Sequence, residues 1–381
     1  MVTGKRRADV RDEPVSAVGE ERILVASQWQ LMWWRFRKHR LAVVATVVVA
    51  VFYIVVLGAD FFAYTDPNAT EAFRALIPPQ PIRFFDDGKF SLHVYKLEGK
   101  RDLTTFQRVY EADPSQKVKV RFFVRGFEYE FLGFIPTDRH LLGVEDANVE
   151  ESLFLLGTDA LGRDVWSRLM VATRTSLTIG LAAVALSLVL GVLLGGISGF
   201  YGGVVDNVIQ RLIEILRSIP TIPLWMGLAA AVPREWSVEQ VYFAITIVIA
   251  LRGWTGLARE VRGRFLSLRE EDFVMAADLA GCSIKRIIFR HMVPSFQSHI
   301  IAAVTLAIPS MILAETALSF LGLGLRPPAI SWGVMLQQAQ NVQTVALSPW
   351  LLIPAIPVVV VILAFNFMGD GLRDAADPYG V

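Results

Sequence analysis

Six stretches of the chain are apolar enough to cross a ~30 Å hydrocarbon core, which takes about 20 helical residues. They are residues 41–59, with no charge and no proline, then 176–200, 212–232, 238–254, 299–323 and 350–368. The third carries Pro220 and Pro223 near its start, where a helix is easily broken. Within the second, Gly191, Gly195 and Gly199 recur every fourth residue and share one helix face, the spacing of a close helix-packing seam. Between the first two spans the pattern changes to period two. Lys117, Val118, Lys119, Val120, Arg121 and Phe122 alternate, and so do Phe127, Glu128, Tyr129, Glu130 and Phe131, with Arg125 and Gly126 between them. This predicts a β-hairpin turning at Arg125 and Gly126, and Asp87 with Gly88 offers a second turn between Phe85 and Phe90. The expected fold is an all-α polytopic membrane protein of six transmembrane helices, with a small β-rich extracytoplasmic insert between helices 1 and 2. The expected segments are a tail at 1–40, helix 1 at 41–62, the insert at 63–169, a five-helix core at 170–368 and a second tail at 369–381. The insert is a structural cap or a contact for a solute-delivering partner.

Composition agrees with a membrane setting: 54% of residues are hydrophobic, 19% are charged, and mean hydropathy is +0.47. Charge adds orientation. Arg35, Arg37, Lys38 and Arg40 precede the first span, and Arg259, Arg262, Arg264, Arg269, Lys285, Arg286 and Arg290 lie between the fourth and fifth. Both segments are therefore expected in the cytoplasm, with both termini inside and the insert outside the membrane. About forty residues precede the first span, so it reads as a retained anchor rather than a cleaved leader. Residues 1–28 mix charges with few large apolar groups and read as a mobile tail. The single cysteine, Cys282, cannot form an intrachain disulfide and reads as a small packed residue.

No Gly-x-x-x-x-Gly-Lys-Ser/Thr sequence occurs, so the chain lacks the cradle that holds nucleotide phosphates. The five histidines are scattered without zinc spacing, and no Gly-x-Ser-x-Gly elbow is present. No catalytic residue, metal site or cofactor is expected in this chain, nor contact with nucleic acid. Ionisable groups inside spans are costly and need a reason. Glu315 lies well inside the fifth span and either faces a translocation path or makes structural hydrogen bonds. Glu214, Arg217 and Arg252 are expected near cytoplasmic span ends, where snorkelling or an internal ion pair explains them. In the loop at 257–297, Ala276, Ala277 and Ala280 would let a short helix lie close against a partner, Gly281 is a left-handed stop, Ser283 caps a second short helix, and Pro294 ends or kinks it. The unit is a docking helix or an ordinary amphipathic connector.

Several segments resemble one family. The run Phe273-Val-Met-Ala-Ala-Asp-Leu-Ala-Gly281, followed at fixed distance by Pro294, resembles the loop by which ABC-importer permeases grip their ATPase. Leu156-Gly-Thr-Asp-Ala-Leu-Gly-Arg-Asp-Val-Trp-Ser-Arg168, Gly199-Phe-Tyr-Gly-Gly-Val-Val-Asp206, Glu315-Thr-Ala-Leu-Ser-Phe-Leu-Gly-Leu-Gly324 and Gly369-Asp-Gly-Leu-Arg-Asp374 with Asp377-Pro378 resemble C-type permeases of the dipeptide, oligopeptide and nickel importers. What the resemblance implies is a type I permease subunit forming half of a path. Its partners would be a homologous second permease, two ATPase subunits that bind ATP and Mg²⁺, and an extracytoplasmic solute-binding protein. The coupling residues it implies are Phe273, Ala276, Ala277, Gly281, Ile284 and Pro294. Met275 departs from the family pattern, which often has glutamate there, and the insert looks longer than in many members. Peptide is the first expectation for cargo, with an oligosaccharide or a nickel chelate as the alternative. A secondary transporter driven by an ion gradient is the competing reading.

Overall fold

The computed structural model describes residues 28–86, 89–101, 108–144 and 153–376. The expected tail at 1–27, the turn at Asp87 and Gly88, and the Asp377-Pro378 match lie outside them. Helix α1 (Gln28–Lys38) is separated from α2 (Arg40–Leu57) by His39, whose Nδ1 accepts the Ala42 N–H and caps α2. The apolar run stops at Gly58 and resumes as the single turn α3 (Ala59–Phe62).

Strands β1 (Arg83–Asp86), β2 (Lys89–Arg101), β3 (Arg108–Phe131) and β4 (Ile135–Val144) form one antiparallel sheet in that order. The expected hairpin at Arg125 and Gly126 is not there. β3 runs straight through both residues and turns only after Phe131, with Leu132 and Gly133 at φ +56° and +80°. The break in alternation marks a shift of register between Arg125 and Tyr129 against β4, in effect a bulge. Gly126 serves that bulge by leaving room for the His140 ring, which a Cβ would meet at 2.6 Å. His140 Nδ1 lies 2.9 Å from the Asp60 carbonyl and so fastens the sheet to the end of the first span.

Helix α4 (Val165–Tyr201) is 37 residues long, about 55 Å, and starts well before the apolar run that predicted it. Its early turns carry Arg168, Thr173 and Arg174, which meet the Pro67 carbonyl, the Trp332 ring N–H and the Asp60 carboxylate. The expected third span at 212–232 is corrected to a broken pair, α5 (Gly203–Ser218) and α6 (Thr221–Ala230), bent by 89°. Pro220 supplies the reason: it forces Ile219 into an extended conformation (φ −81°, ψ 128°). Helix α7 (Val238–Leu268) opens on a Ser237–Gln240 capping box and continues 14 residues beyond its expected end. Arg252 therefore lies near the middle of the helix, seven residues before Arg259, where its charged later turns begin.

Helices α8 (Asp272–Leu279) and α9 (Ile284–Arg286) follow, the latter continuing through a π-helical turn at Ile287–Met292 to Val293–Ser295. Pro294 sits inside that last turn, and the break comes two residues later at Phe296 (φ −128°). Ser283 stands at the N-cap but makes no side-chain capping bond, so this part of the expectation fails. Helices α10 (Gln297–Phe320), α11 (Trp332–Gln337) and α12 (Ala355–Ala376) complete the bundle. Among the described residues, five helical segments are long and apolar enough to span, six if α5 and α6 count as one. The main core joins α2, α4, α7, α10 and α12, while a second apolar cluster holds the end opposite the sheet.

The α4–α7 contact is the most extensive between two helices among the described residues. A Cβ on Gly195 would stand 2.4 Å from the Ala258 carbonyl, and one on Gly199 would stand 2.7 Å from that of Arg262. Gly191 faces the Leu257 side chain at 2.9 Å. The three-glycine face expected from sequence is thus a close seam, meeting backbone at Gly195 and Gly199 and the Leu257 side chain at Gly191.

Candidate functional site

At the end opposite the sheet, α8 ends in a Schellman turn. The Cys282 N–H reaches the Ala277 carbonyl at 3.1 Å and the Gly281 N–H reaches Asp278 at 2.8 Å, with Gly281 at φ +73°. The helix has two faces. Val274 and Ala277 point inward onto a cluster of Val261, Phe265, Ile287, Ile288, Met292 and Phe296. Phe273, Ala276 and Leu279 point outward, and Leu279 is 89% exposed. Ile284 and Pro294 are exposed on the following segment. Of the alanines expected to approach a partner, Ala277 instead packs against its own chain, because it lies on the same helix face as Val274, three residues earlier, and that face rests on the cluster. Leu279 was missed, although its i+3 and i+6 spacing from Ala276 and Phe273 places it on that face. Met275, in the position of the family glutamate, is exposed.

A polar latch ties this end to the bundle. Asp206 accepts both Nε and Nη2 of Arg262 and the Ser198 hydroxyl, while Gln210 Nε2 donates to Ser198 Oγ at 3.1 Å. Gly202 and Gly203, at φ +63° and +56°, turn α5 so that Asp206 faces α7. A bidentate arginine–carboxylate pair fixes orientation as well as distance.

Glu315 is fully buried on α10. Its carboxylate accepts the Ser176 hydroxyl of α4 at 2.9 Å and the Ser319 hydroxyl at 2.8 Å. Each serine oxygen in turn accepts a backbone N–H, Trp332 for Ser176 at 3.1 Å and Leu325 for Ser319 at 3.0 Å. One carboxylate thereby joins two helices and the loop between α10 and α11.

The segment from Gly157 to Arg168 is a second rigid knot, beside the sheet. Gly157 and Gly162 adopt φ +76° and +77°, and their Cβ positions would fall 2.5 Å from the Ile77 carbonyl and 1.9 Å from that of Glu71. Asp159 binds Arg163 at 2.8 Å, and Arg168 Nη1 donates to the Pro67 carbonyl at 2.9 Å. Asp164 caps α4 through the Ser167 N–H at 2.6 Å and accepts the Tyr64 hydroxyl at 2.8 Å. Burial pushes the Asp164 carboxyl up to about 6 despite these donors. Burial, then the Asp164 charge, pushes Tyr64 well above its ordinary value.

A cavity of ≈ 280 Å³ opens between α4, α7 and α10, lined by Ser187, Gly253, Gly256 and Glu260 among others. Glu260 faces His299 at 3.5 Å. Sequence reading paired neither, because groups on different helices share no spacing. Glu214, expected to snorkel or pair, binds Arg211 one turn away at 2.8 Å. Among the described residues no cluster of His, Cys, Asp and Glu could hold a metal ion.

Comparison with known proteins gives two family matches. The family described as "Binding-protein-dependent transport system inner membrane component" matches residues 191–379, and "N-terminal TM domain of oligopeptide transport permease C" matches residues 27–79. The dipeptide transport system permease protein DppC of Lactococcus lactis subsp. cremoris is 34% identical over 92% of this chain and 91% of its own length. The oligopeptide transport system permease protein OppC of Escherichia coli K12 is 42% identical over 60% of this chain and 73% of its own. OppC of Bacillus subtilis is 39% identical over 58% and 70%.

Proposed function

The chain belongs to the binding-protein-dependent transport system inner membrane components, and from that premise we propose that it forms half of a peptide path and grips an ATPase through α8 and the break at Gly281. It is a membrane-spanning permease subunit of an ABC importer, a family that works with an ATPase and a solute-binding protein. The nucleotide and its Mg²⁺ belong to the ATPase, in keeping with the missing phosphate loop here. α8 lies on the cytoplasmic side in this reading, which the basic residues around it support. The sheet lies outside, where the binding protein arrives. A homologous second permease covers the exposed apolar row Val204, Val208, Leu212, Ile215 and Ile219 of α5. Peptide cargo rests on the names of the relatives, which are dipeptide and oligopeptide permeases.

The single observation that carries the coupling reading is the two-faced α8. Val274 and Ala277 lock it to the bundle, and Phe273, Ala276 and Leu279 are left for a partner. An element that belongs to the bundle on one side and to an ATPase on the other biases both sites, which is what coupling requires. In this reading Glu315 pins helices together rather than touching cargo. The test is reconstitution with the second permease, two ATPases and the binding protein in proteoliposomes. Leu279→Asp is expected to abolish both peptide uptake and the rise in ATP hydrolysis caused by loaded binding protein. Full stimulation in that variant removes the proposal. Uptake of an oligosaccharide or a nickel chelate in place of peptide by the unaltered complex overturns the cargo assignment alone.

A further inference from the structure

The turn that closes the β3–β4 hairpin is apolar. Residues 131–136 read Phe-Leu-Gly-Phe-Ile-Pro and carry no charge. Leu132, Phe134 and Ile135 are exposed, Phe134 to 70%. The Gly133 N–H reaches the Glu130 carbonyl at 3.1 Å and the Phe134 N–H that of Phe131 at 3.3 Å, so the turn is tight. Leu132 and Gly133 hold its two central positions at φ +56° and +80°, where the usual pair is Asn-Gly. A leucine in the left-handed region is strained, and local turn chemistry gives no reason for it.

Contacts along the two strands show where this turn stands. Val118 and Val120 of β3 pack in one cluster with Tyr64, Leu153 and Trp166. Farther along, the Phe123 ring lies 6.2 Å from that of Phe61, and His140, opposite Val124, is fastened to the Asp60 carbonyl. β3 therefore runs from the level of Tyr64 to that of Asp60. That direction is toward the bilayer, because Asp60 is the first charge after the apolar run of α2, and the exposed Ile54 and Leu57 lie just inside it. From His140 the chain extends six residues to Phe134, about 20 Å of strand. The headgroup zone on either side of a bilayer is only about 6 Å deep, so the turn reaches it even at a steep tilt. We propose that Leu132, Phe134 and Ile135 form a wedge that enters the bilayer interface and seats the sheet on the membrane surface. Moving their apolar area out of water is stabilising in proportion to that area, which offsets the strain at Leu132. Glu130 and Asp138 flank the uncharged stretch and limit its depth, since a charge is costly in hydrocarbon. The His140–Asp60 contact holds the sheet at one point, and the wedge adds a second that fixes its tilt against the membrane. The proposal needs only that the chain spans a membrane, and stands apart from the cargo and coupling readings.

The experiment uses the full complex, with cysteine-free partner subunits, in phosphatidylcholine nanodiscs. Phe134→Cys, in a chain whose single native cysteine is removed by Cys282→Ser, carries a nitrobenzoxadiazole label, which emits to the blue when it leaves water. Lys100→Cys, at an exposed position of β2 paired with the far end of β3, carries the same label as the reference. The label at Phe134 is expected to emit to the blue of the reference, to lose intensity to nitroxide-bearing lipids and to resist iodide in the buffer. Ile135→Cys, exposed on the same turn, is expected to behave alike and supplies the reading if Phe134→Cys does not assemble. Quenching by iodide as strong as at Lys100, with none from nitroxide lipid, overturns the wedge. A label shielded from both quenchers overturns it too, because a protein surface, of the second permease or of the binding protein, then covers the turn.

Discussion

Gly281 separates the coupling reading from a merely structural one. Its φ of +73° places it in the left-handed region, and a Cβ built there meets nothing within 4 Å. Gly281→Ala therefore adds only the left-handed penalty, about 1–2 kcal/mol. That shifts the balance between capped and uncapped α8 by about 5–30-fold. The cost falls on the Schellman turn, not on the seam or the core, so the melting temperature of the bundle should hardly move. Gly281→Asn should be milder than Ala, because asparagine visits this region readily. Gly281→Glu adds a charge beside the docking face and should be the most severe. The assay is binding-protein-stimulated ATP hydrolysis together with uptake in proteoliposomes, read beside thermal unfolding of the purified complex. The expected order of coupling is Gly, Asn, Ala, Glu, with little change in unfolding. Normal stimulation and uptake in Gly281→Glu would refute the reasoning, and so would an Asn variant as defective as Ala.

Gly195→Leu should be destabilising by about 1–3 kcal/mol or more, because its Cβ would collide with backbone at Ala258; a lowered melting temperature checks this. Gly162→Ala combines a left-handed φ with a 1.9 Å collision and should lower the yield of folded protein, on the order of 3 kcal/mol, measured by fluorescence-detected chromatography. The Asp164 carboxyl, raised by burial to about 6, binds its proton more tightly in the folded chain than in the unfolded one. Its contribution to stability is thus complete below the ordinary carboxylate range and is lost as pH rises through about 6, a fall of about 2–3 kcal/mol at most. Melting temperature followed across that window should fall in the unaltered chain and flatten in Asp164→Asn.

How much of this was readable in the sequence depended on whether a feature is local. The seam at Gly191, Gly195 and Gly199 and the Gly281 stop follow from spacing within one helix, and both are present. The hairpin at Arg125 and Gly126 was misread because a bulge and a turn interrupt alternation in the same way, and only β4 across the ladder tells them apart. The continuous third span was misread because hydropathy does not register direction, while Pro220 redirects the chain by 89° without lowering its apolar content. Ala277 was assigned outward on residue type alone, when its side of α8 is decided by the cluster beneath it. The Asp206–Arg262 latch and the Glu260–His299 contact each join separate helices, and no spacing announces them.

These cross-helix contacts decide how a push on α8 would travel. The inner face of α8 rests on Val261 and Phe265 of α7 and on the segment entering α10. α7 cannot slide freely past α4, since Gly195 and Gly199 bring their backbones together, and Arg262 is latched to Asp206 on α5. At the other end Glu315 joins α10 to α4. A displacement of α8 is therefore delivered to α4, α5, α7 and α10 together rather than to one helix. The bend at Pro220 and the break at Phe296 are where this group can change angle relative to its neighbours, since neither point carries a continuous helical ladder.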